Sequence, residues 1–233
     1  MHDANVLLEY TRPVVLRPPS TALMIIDMQY LSACRTTGMG RWLNDTGRAD
    51  EGRYRFDRIE QLLVPNIRTL LSFFREHRLQ VVHVVLASQM EGARDVVAHS
   101  RVHEAEFGNE PGRIETQILD ELAPAPNEPV VQKLSASAFN SSNIDFLLRS
   151  LGIDTVVVTG VSTSQCVGLT AHDAADRGYG VAIVEDACAE DIEEHHVWTL
   201  EQFRRVFGRV ATTAEVVTEL QDALAASVPV DSY

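Results

Sequence analysis

Cysteine is scarce in this chain. Cys34, Cys166 and Cys188 are the only three in 233 residues, and no two form a C-x-x-C pair. That count excludes a disulfide framework and a cysteine zinc site and fits free thiols in a reducing compartment. Positive charge is also short: 20 Lys and Arg face 33 Asp and Glu, a net charge of −13. Such a balance offers no basic patch to nucleic acid or to an anionic membrane surface. No apolar run approaches the ~20 residues of a membrane span, and the first residues lack the basic-then-apolar pattern of a secretory signal. A cytoplasmic location is therefore expected. Internal repeats, low-complexity tracts and linkers of domain-boundary character are missing too, so a single domain over residues 21–233 is expected. Residues 1–20, polar and bearing Pro13, Pro18 and Pro19, are expected as an N-terminal arm over the domain or over a neighbouring subunit.

What is present is an alternation of short β-branched apolar runs with amphipathic segments, the mark of an α/β domain with a parallel sheet. Strands are expected at 21–26, 80–87, 129–132, 155–158, 180–184 and 209–211. Helices are expected over 59–74, 115–122, from Ile144 after a Ser142 cap, 166–177 closed by Gly178, 193–207, and after the Thr212-x-x-Glu215 capping box. Residues 31–56, which carry Gly38, Gly40, Gly47 and Gly52, read as a long irregular loop. Its Trp42, Tyr54 and arginines 35, 41, 48 and 53 are a pool for an aromatic wall or a carboxylate clamp, with no one of them favoured over simple solvation.

Three polar residues end three of the strands. Asp27 follows the first apolar run, Lys133 follows Val130-Val131-Gln132, and Cys166 lies where the 155–158 strand turns into a helix. In open parallel sheets the ligand crevice lies outside the carboxyl ends of the strands, so these residues share a crevice. The unpaired N–H groups and positive dipole at a helix start favour a thiolate at Cys166, as does a nearby ammonium. Lys133 supplies that charge, and Asp27 is placed to relay the proton. The turn 160–165 offers backbone N–H groups for an oxyanion. His172 is six residues beyond Cys166 on a helix and faces elsewhere. His99 and His103 have the i, i+4 spacing of zinc ligands but lack the adjacent Glu of H-E-x-x-H, and Glu193-Glu194-His195-His196 reads as a solvated helix start.

The segments Ile25-Ile26-Asp27-Met28-Gln29, Val130-Val131-Gln132-Lys133 and Val158-Thr159-Gly160-Val161-Ser162-Thr163-Ser164-Gln165-Cys166-Val167 together resemble the isochorismatase-like cysteine hydrolases, over roughly residues 21–217. The resemblance implies a doubly wound six-stranded parallel sheet of order 3-2-1-4-5-6 with helices on both faces. It implies an Asp27, Lys133, Cys166 triad working through a thioacyl intermediate. It also implies a cis peptide between Val161 and Ser162 that aims the Ser162 and Cys166 amides at the oxyanion, and a homodimer or homotetramer. Gln29, Tyr30 and Val161 are expected beside the substrate.

Departures from the family narrow the expectation. The metal-binding Asp-x-His pair of nicotinamidases is missing after the second strand, where the chain reads Leu86-Ala87-Ser88-Gln89-Met90. Cys166 separates the chain from the ether-cleaving isochorismatases, which lack that cysteine. The reading is hydrolysis of a small linear amide or of a carbamoyl or ureido compound, without metal or cofactor, with loops 30–56, 88–107 and 135–140 deciding which. The alternatives are a thiol-based binding or redox-sensing protein on the same fold and a nicotinamidase-type amidase. A role for Cys34 near the pocket is left open.

Overall fold

The computed structural model describes residues 13–226. Residues 1–12 of the expected arm lie outside the described residues. Its end, residues 13–20, runs into a tight turn at Pro18–Ser20. There Leu16 is buried, and its amide donates to Glu219 Oε1 at 2.7 Å.

Six strands form one parallel sheet in the order 3-2-1-4-5-6: β1 Thr21–Ile26, β2 Gln80–Leu86, β3 Val130–Lys133, β4 Thr155–Val161, β5 Gly180–Ala189 and β6 Arg209–Ala211. The apolar runs are continuous because both faces are covered. Leu23 and Ile25 pack on one side against α3 (Val64–Glu76) and α9 (Thr213–Ala226), through Leu70, Phe74, Val216 and Leu220. Ala22, Met24 and Ile26 point to the other side. They meet α6 (Ile144–Ser150), α7 (Gly168–Asp176) and α8 (Glu193–Arg204), through Leu148, Ala171 and Phe203. The strand order reverses between β1 and β4, where crossover connections leave to opposite faces and a crevice opens at the carboxyl ends.

Three expectations need correction. Residues 31–56 are not a structureless loop: they carry α1 (Gly38–Asp45), a tight turn at Ala49–Gly52 and the start of α2 (Arg53–Arg58). Gly38 and Gly40 are close contacts rather than breakers, since a Cβ on Gly38 would lie 2.1 Å from the Leu31 carbonyl oxygen and one on Gly40 2.4 Å from that of Arg35, whereas Gly47, with φ +71° and nothing within 4 Å, does end α1. The helix expected over 115–122 is two separate tight turns, Ile114–Thr116 and Asp120–Leu122. Between them Ile118 bridges to Gln29, and this tertiary pairing overrides the local pattern. In the same interval a helix stands where none was expected, α4 (Arg101–Phe107).

β4 runs on through Thr159 and Gly160 to Val161. Gly160 has φ +112°, and a Cβ there would sit 2.0 Å from the Ile26 carbonyl oxygen. A glycine is required because β4 approaches the end of β1 more closely than any side chain permits. Gly160→Ala is expected to lower stability by about 3 kcal/mol or more. Urea denaturation against wild type measures this, and an unchanged midpoint would show that the strands part freely here.

Candidate active site

Three of the six strands lead to a polar side chain at the crevice: Asp27 follows β1, Lys133 ends β3 and Cys166 follows β4. Asp27 follows β1 in a left-handed conformation, φ +52°, which aspartate tolerates better than most residues. Its amide donates to the Val84 carbonyl at 2.9 Å, and its own carbonyl accepts from Ser32 Oγ at 2.6 Å. Lys133, the last residue of β3, is paired in register with Leu86 of β2. It is two strands from β1, and its four-carbon stem spans the end of β2 to reach Asp27.

Lys133 Nζ lies 2.8 Å from Asp27 Oδ2, 3.1 Å from the Ser135 carbonyl oxygen and 3.3 Å from Cys166 Sγ. Lys133 is 0% exposed and Asp27 3%. Burial alone would strip the charge from such a lysine, but Asp27 and then the Cys166 sulfur outweigh it and hold the ammonium above its usual range. Lys133 is also the only lysine among the chain's 20 basic residues.

The Cys166 thiol is pushed up to about 12, first by burial and then by the Asp27 carboxylate, against the opposing pull of Lys133. This reverses the expectation of a resting thiolate. A helix start and an ammonium favour S⁻, yet the enclosed sulfur faces a carboxylate as well, and desolvation is the larger effect. Asp27 Oδ1 is buried with no hydrogen-bond partner, so an acceptor for the thiol proton stands ready.

Behind the sulfur, Thr163–Val167 form a wide π turn that leads into α7. The Val161–Ser162 peptide bond before it is cis. Glu190, 1% exposed, accepts the Ser164 amide at 2.6 Å. His196, expected in a solvated helix start, is instead buried beneath the turn. Its Nε2 lies 3.1 Å from an Arg58 nitrogen that can only donate, so its proton sits on Nδ1 and is donated to Thr163 Oγ1 at 2.9 Å. Burial and then Arg58 lower its pKa to about 4, which keeps the ring neutral.

The crevice opens into a cavity of about 250 Å³ lined by the two strand ends, by Leu31, Ser32, Met39 and Arg55, and by His103, Glu104 and Phe107. Val161 and Ser162 are in this wall, but Gln29 and Tyr30 are not. Gln29 turns inward, its Oε1 accepting the Leu86 amide at 2.8 Å and its Nε2 donating to the Leu86 and Thr116 carbonyls at 3.2 and 3.0 Å. It fastens β1 to β2 instead. Of the three loops expected to shape the pocket, residues 135–140 contribute no lining residue. Trp42 stands one layer back, its ring 5.6 Å from that of Phe107. Cys34 is outside the wall, 3.5 Å from Thr36 Oγ1. His172 packs against Phe203 and Phe207, away from the sulfur. Among the described residues no cluster of three or more His, Cys, Asp and Glu could hold a metal ion.

Two wall residues escaped the sequence reading. Arg55 is 2% exposed and donates to the Ser32 carbonyl through Nε and one terminal nitrogen, at 3.1 and 2.9 Å. Its other terminal nitrogen donates to Ser162 Oγ at 2.7 Å and to Asp191 Oδ1 at 3.0 Å. Glu104 is 7% exposed, and its Oε2 accepts from Asn109 Nδ2 at 2.9 Å. Burial raises its pKa to about 7, opposed by that bond and reinforced by the charge on Asp27.

Fold and site together define a doubly wound α/β protein with a buried carboxylate and ammonium beside a half-buried thiol at its switch point. The isochorismatase domain model matches residues 21–215, and the chain belongs to the isochorismatase family. It is 38% identical over 108 residues to an N-carbamoylsarcosine amidase of an Arthrobacter species, covering 46% of this chain and 40% of that protein. It is 28% identical over 214 residues to the secreted isochorismatase effector Isc1 of Verticillium dahliae, covering 85% and 94%. The crystal structure of an isochorismatase family protein from Desulfovibrio vulgaris superposes with TM-score 0.72 at 28% identity, covering 89% of this chain and 99% of that one. The match to the amidase thus spans less than half of that protein's length. Among the described residues no helix is long and apolar enough to cross a membrane.

Two predictions follow from the electrostatics. Subtracting the 240 nm pH titration of Cys166→Ser from that of wild type should show no Cys166 thiolate below about pH 10; a step near neutrality would refute the enclosed-thiol picture. Glu104, whose pKa is raised in the fold, destabilises it only where the unfolded side chain is ionised. The penalty is absent in acid, grows above the ordinary 4.5 and is complete above about 7. Glu104→Gln should therefore raise stability at about pH 8, by on the order of 2 kcal/mol, and change it little at about pH 4. Urea midpoints at the two pH values measure the difference.

Proposed function

We propose that the protein is a cysteine-dependent amidohydrolase that cleaves a small linear amide, or a carbamoyl or ureido compound, through a thioacyl-enzyme. The observation that carries this reading is the contact of the Lys133 ammonium with both Asp27 and Cys166, at 2.8 and 3.3 Å, the latter two standing in the wall of the cavity. In the first step the thiol proton passes to Asp27 Oδ1 as sulfur attacks the substrate carbonyl carbon. The carbonyl oxygen takes up the negative charge, held by the Ser162 and Cys166 backbone amides. Arg55, bonded to Ser162 Oγ, fixes that turn. The adduct collapses as Asp27 returns the proton to the leaving nitrogen, the C–N bond breaks, and ammonia or an amine departs. Water, deprotonated by Asp27, then attacks the thioester; the C–S bond breaks, and the acid and the thiol are regenerated. Lys133 stays charged throughout and stabilises each anion in turn.

A thiol sensor is the weaker reading on this geometry. Sensor cysteines are acidic, whereas burial and Asp27 raise the Cys166 thiol. The amidohydrolase names of the relatives support the same side.

An ammonia-release screen over small amides and ureides tests the proposal. Cys166→Ser should fold as wild type, lose turnover and form no acyl adduct by mass spectrometry. Asp27→Asn should lower kcat by about a thousandfold. Turnover surviving in Cys166→Ser would remove the nucleophile from the scheme.

A further inference from the structure

The hydrolytic scheme leaves the far end of the substrate unspecified, and the donors and acceptors of the cavity specify it. Both nearby cations are already engaged. An ammonium has three N–H donors, and those of Lys133 are met by Asp27, the Ser135 carbonyl and the Cys166 sulfur. Four of the five N–H groups of Arg55 are taken by Ser32, Ser162 and Asp191. A substrate carboxylate entering this space meets Asp27, Glu104 and Asp191 in the wall against Arg55 alone, whose charge is already shared with Asp191.

Glu104, by contrast, is a prepared acceptor. Asn109, 0% exposed, takes the Ser88 amide on its Oδ1 at 2.7 Å, which turns its NH₂ toward Glu104 Oε2 at 2.9 Å. The second oxygen, Oε1, has only His103 Nε2 near it, at 3.6 Å, beyond hydrogen-bond length. Above about pH 7, where Glu104 is ionised, a carboxylate held by one oxygen and open at the other, in the wall that also holds Cys166, is suited to receiving N–H groups from a ligand.

We propose that Glu104 determines specificity by accepting N–H donors at the end of the substrate remote from the scissile amide. The preferred substrate then carries a second carboxamide, a ureido group or an ammonium there, and not a carboxylate. This rests on the hydrolase reading above, and it assigns the substrate class within it. The other titratable groups facing Glu104 are Asp27 and Lys133 at the strand ends and, on its own helix, His103, whose pKa burial lowers; Arg55 and Asp191 stand in the same wall.

Three compounds sharing one scissile carboxamide test it: malonamide with a distal carboxamide, β-alaninamide with a distal ammonium, and malonamate with a distal carboxylate. Ammonia release gives kcat and KM for wild type and Glu104→Gln, and calorimetry on Cys166→Ser gives affinities free of turnover. Malonamide or β-alaninamide should exceed malonamate by about tenfold or more in both kcat/KM and affinity, whichever of the two is better identifying the neutral or the cationic donor. Glu104→Gln should erase most of that ratio through KM, with kcat little changed. Equal or better use of malonamate by wild type, a ratio unaltered by Glu104→Gln, or binding of none of the three would overturn the inference. Selective binding of the donor compounds without any ammonia release would uphold it and overturn the hydrolase reading alone.

Discussion

The buried ion pair between Asp27 and Lys133 is the constraint on which the site depends. Two charges removed from water lose several kcal/mol of hydration each, and their attraction recovers this only with close geometry and further hydrogen bonds. Here the distance is 2.8 Å, and the remaining lysine donors are met by a carbonyl and a sulfur. An apolar pair of similar volume would fill the same space without that demand. The pair therefore makes little sense as a stabilising device and good sense as a fixed field around the cysteine. The sheet is arranged to supply it: β1 and β3 present the two charges with β2 between them, and the lysine stem covers the gap.

The backbone around the pair is as constrained as the charges. Asp27 turns into the left-handed region at the end of β1, with its amide and carbonyl both engaged. β4 reaches the same level only because Gly160 lets it lie against the Ile26 carbonyl. Without that approach, the Ser162 turn and the sulfur would stand further from the carboxylate. Neutral His196 and Glu190 then hold the turn from behind. The crevice and the nucleophile thus share one set of strand ends, and the position of each fixes the other.

The strands and two of the site residues were legible in the sequence, because buried parallel strands write continuous apolar runs and a polar residue closing such a run, as Asp27 and Lys133 do, stands out. Cys166 was visible as a cysteine in the turn from strand to helix, and the sheet order came only through the resemblance to the family. Arg55 was not legible: it is one of five arginines in residues 31–56, identical in type to its solvated neighbours and distinguished only by what the fold packs around it. Glu104 sits on a seven-residue helix, about two turns, too short for a helical period to emerge from a polar segment. The glycines at 38, 40 and 160 were visible but mean close packing where local rules read interruption. Gln29, adjacent to a strand-end site in sequence, was drawn away from the cavity by the unpaired backbone groups of Leu86.

The resting state of the sulfur follows from the same accounting. A thiol lifted to about 12 beside a carboxylate is a poor nucleophile until its proton moves, and the unpartnered Asp27 oxygen is where it can go. Once Asp27 is protonated, its charge no longer opposes the thiolate, and the Lys133 ammonium is left facing the sulfur alone. In the proposed scheme the arrangement thus favours the thiolate only as the proton transfers, which would couple nucleophile formation to attack and leave the idle thiol less open to oxidation. Enclosure raises the thiol and lengthens the reach of every remaining charge in the cavity, including that of Glu104. Glu104 and Asp27 therefore share one poorly screened space, where, on the roles proposed for them, the electrostatic character of the ligand matters as much as its shape.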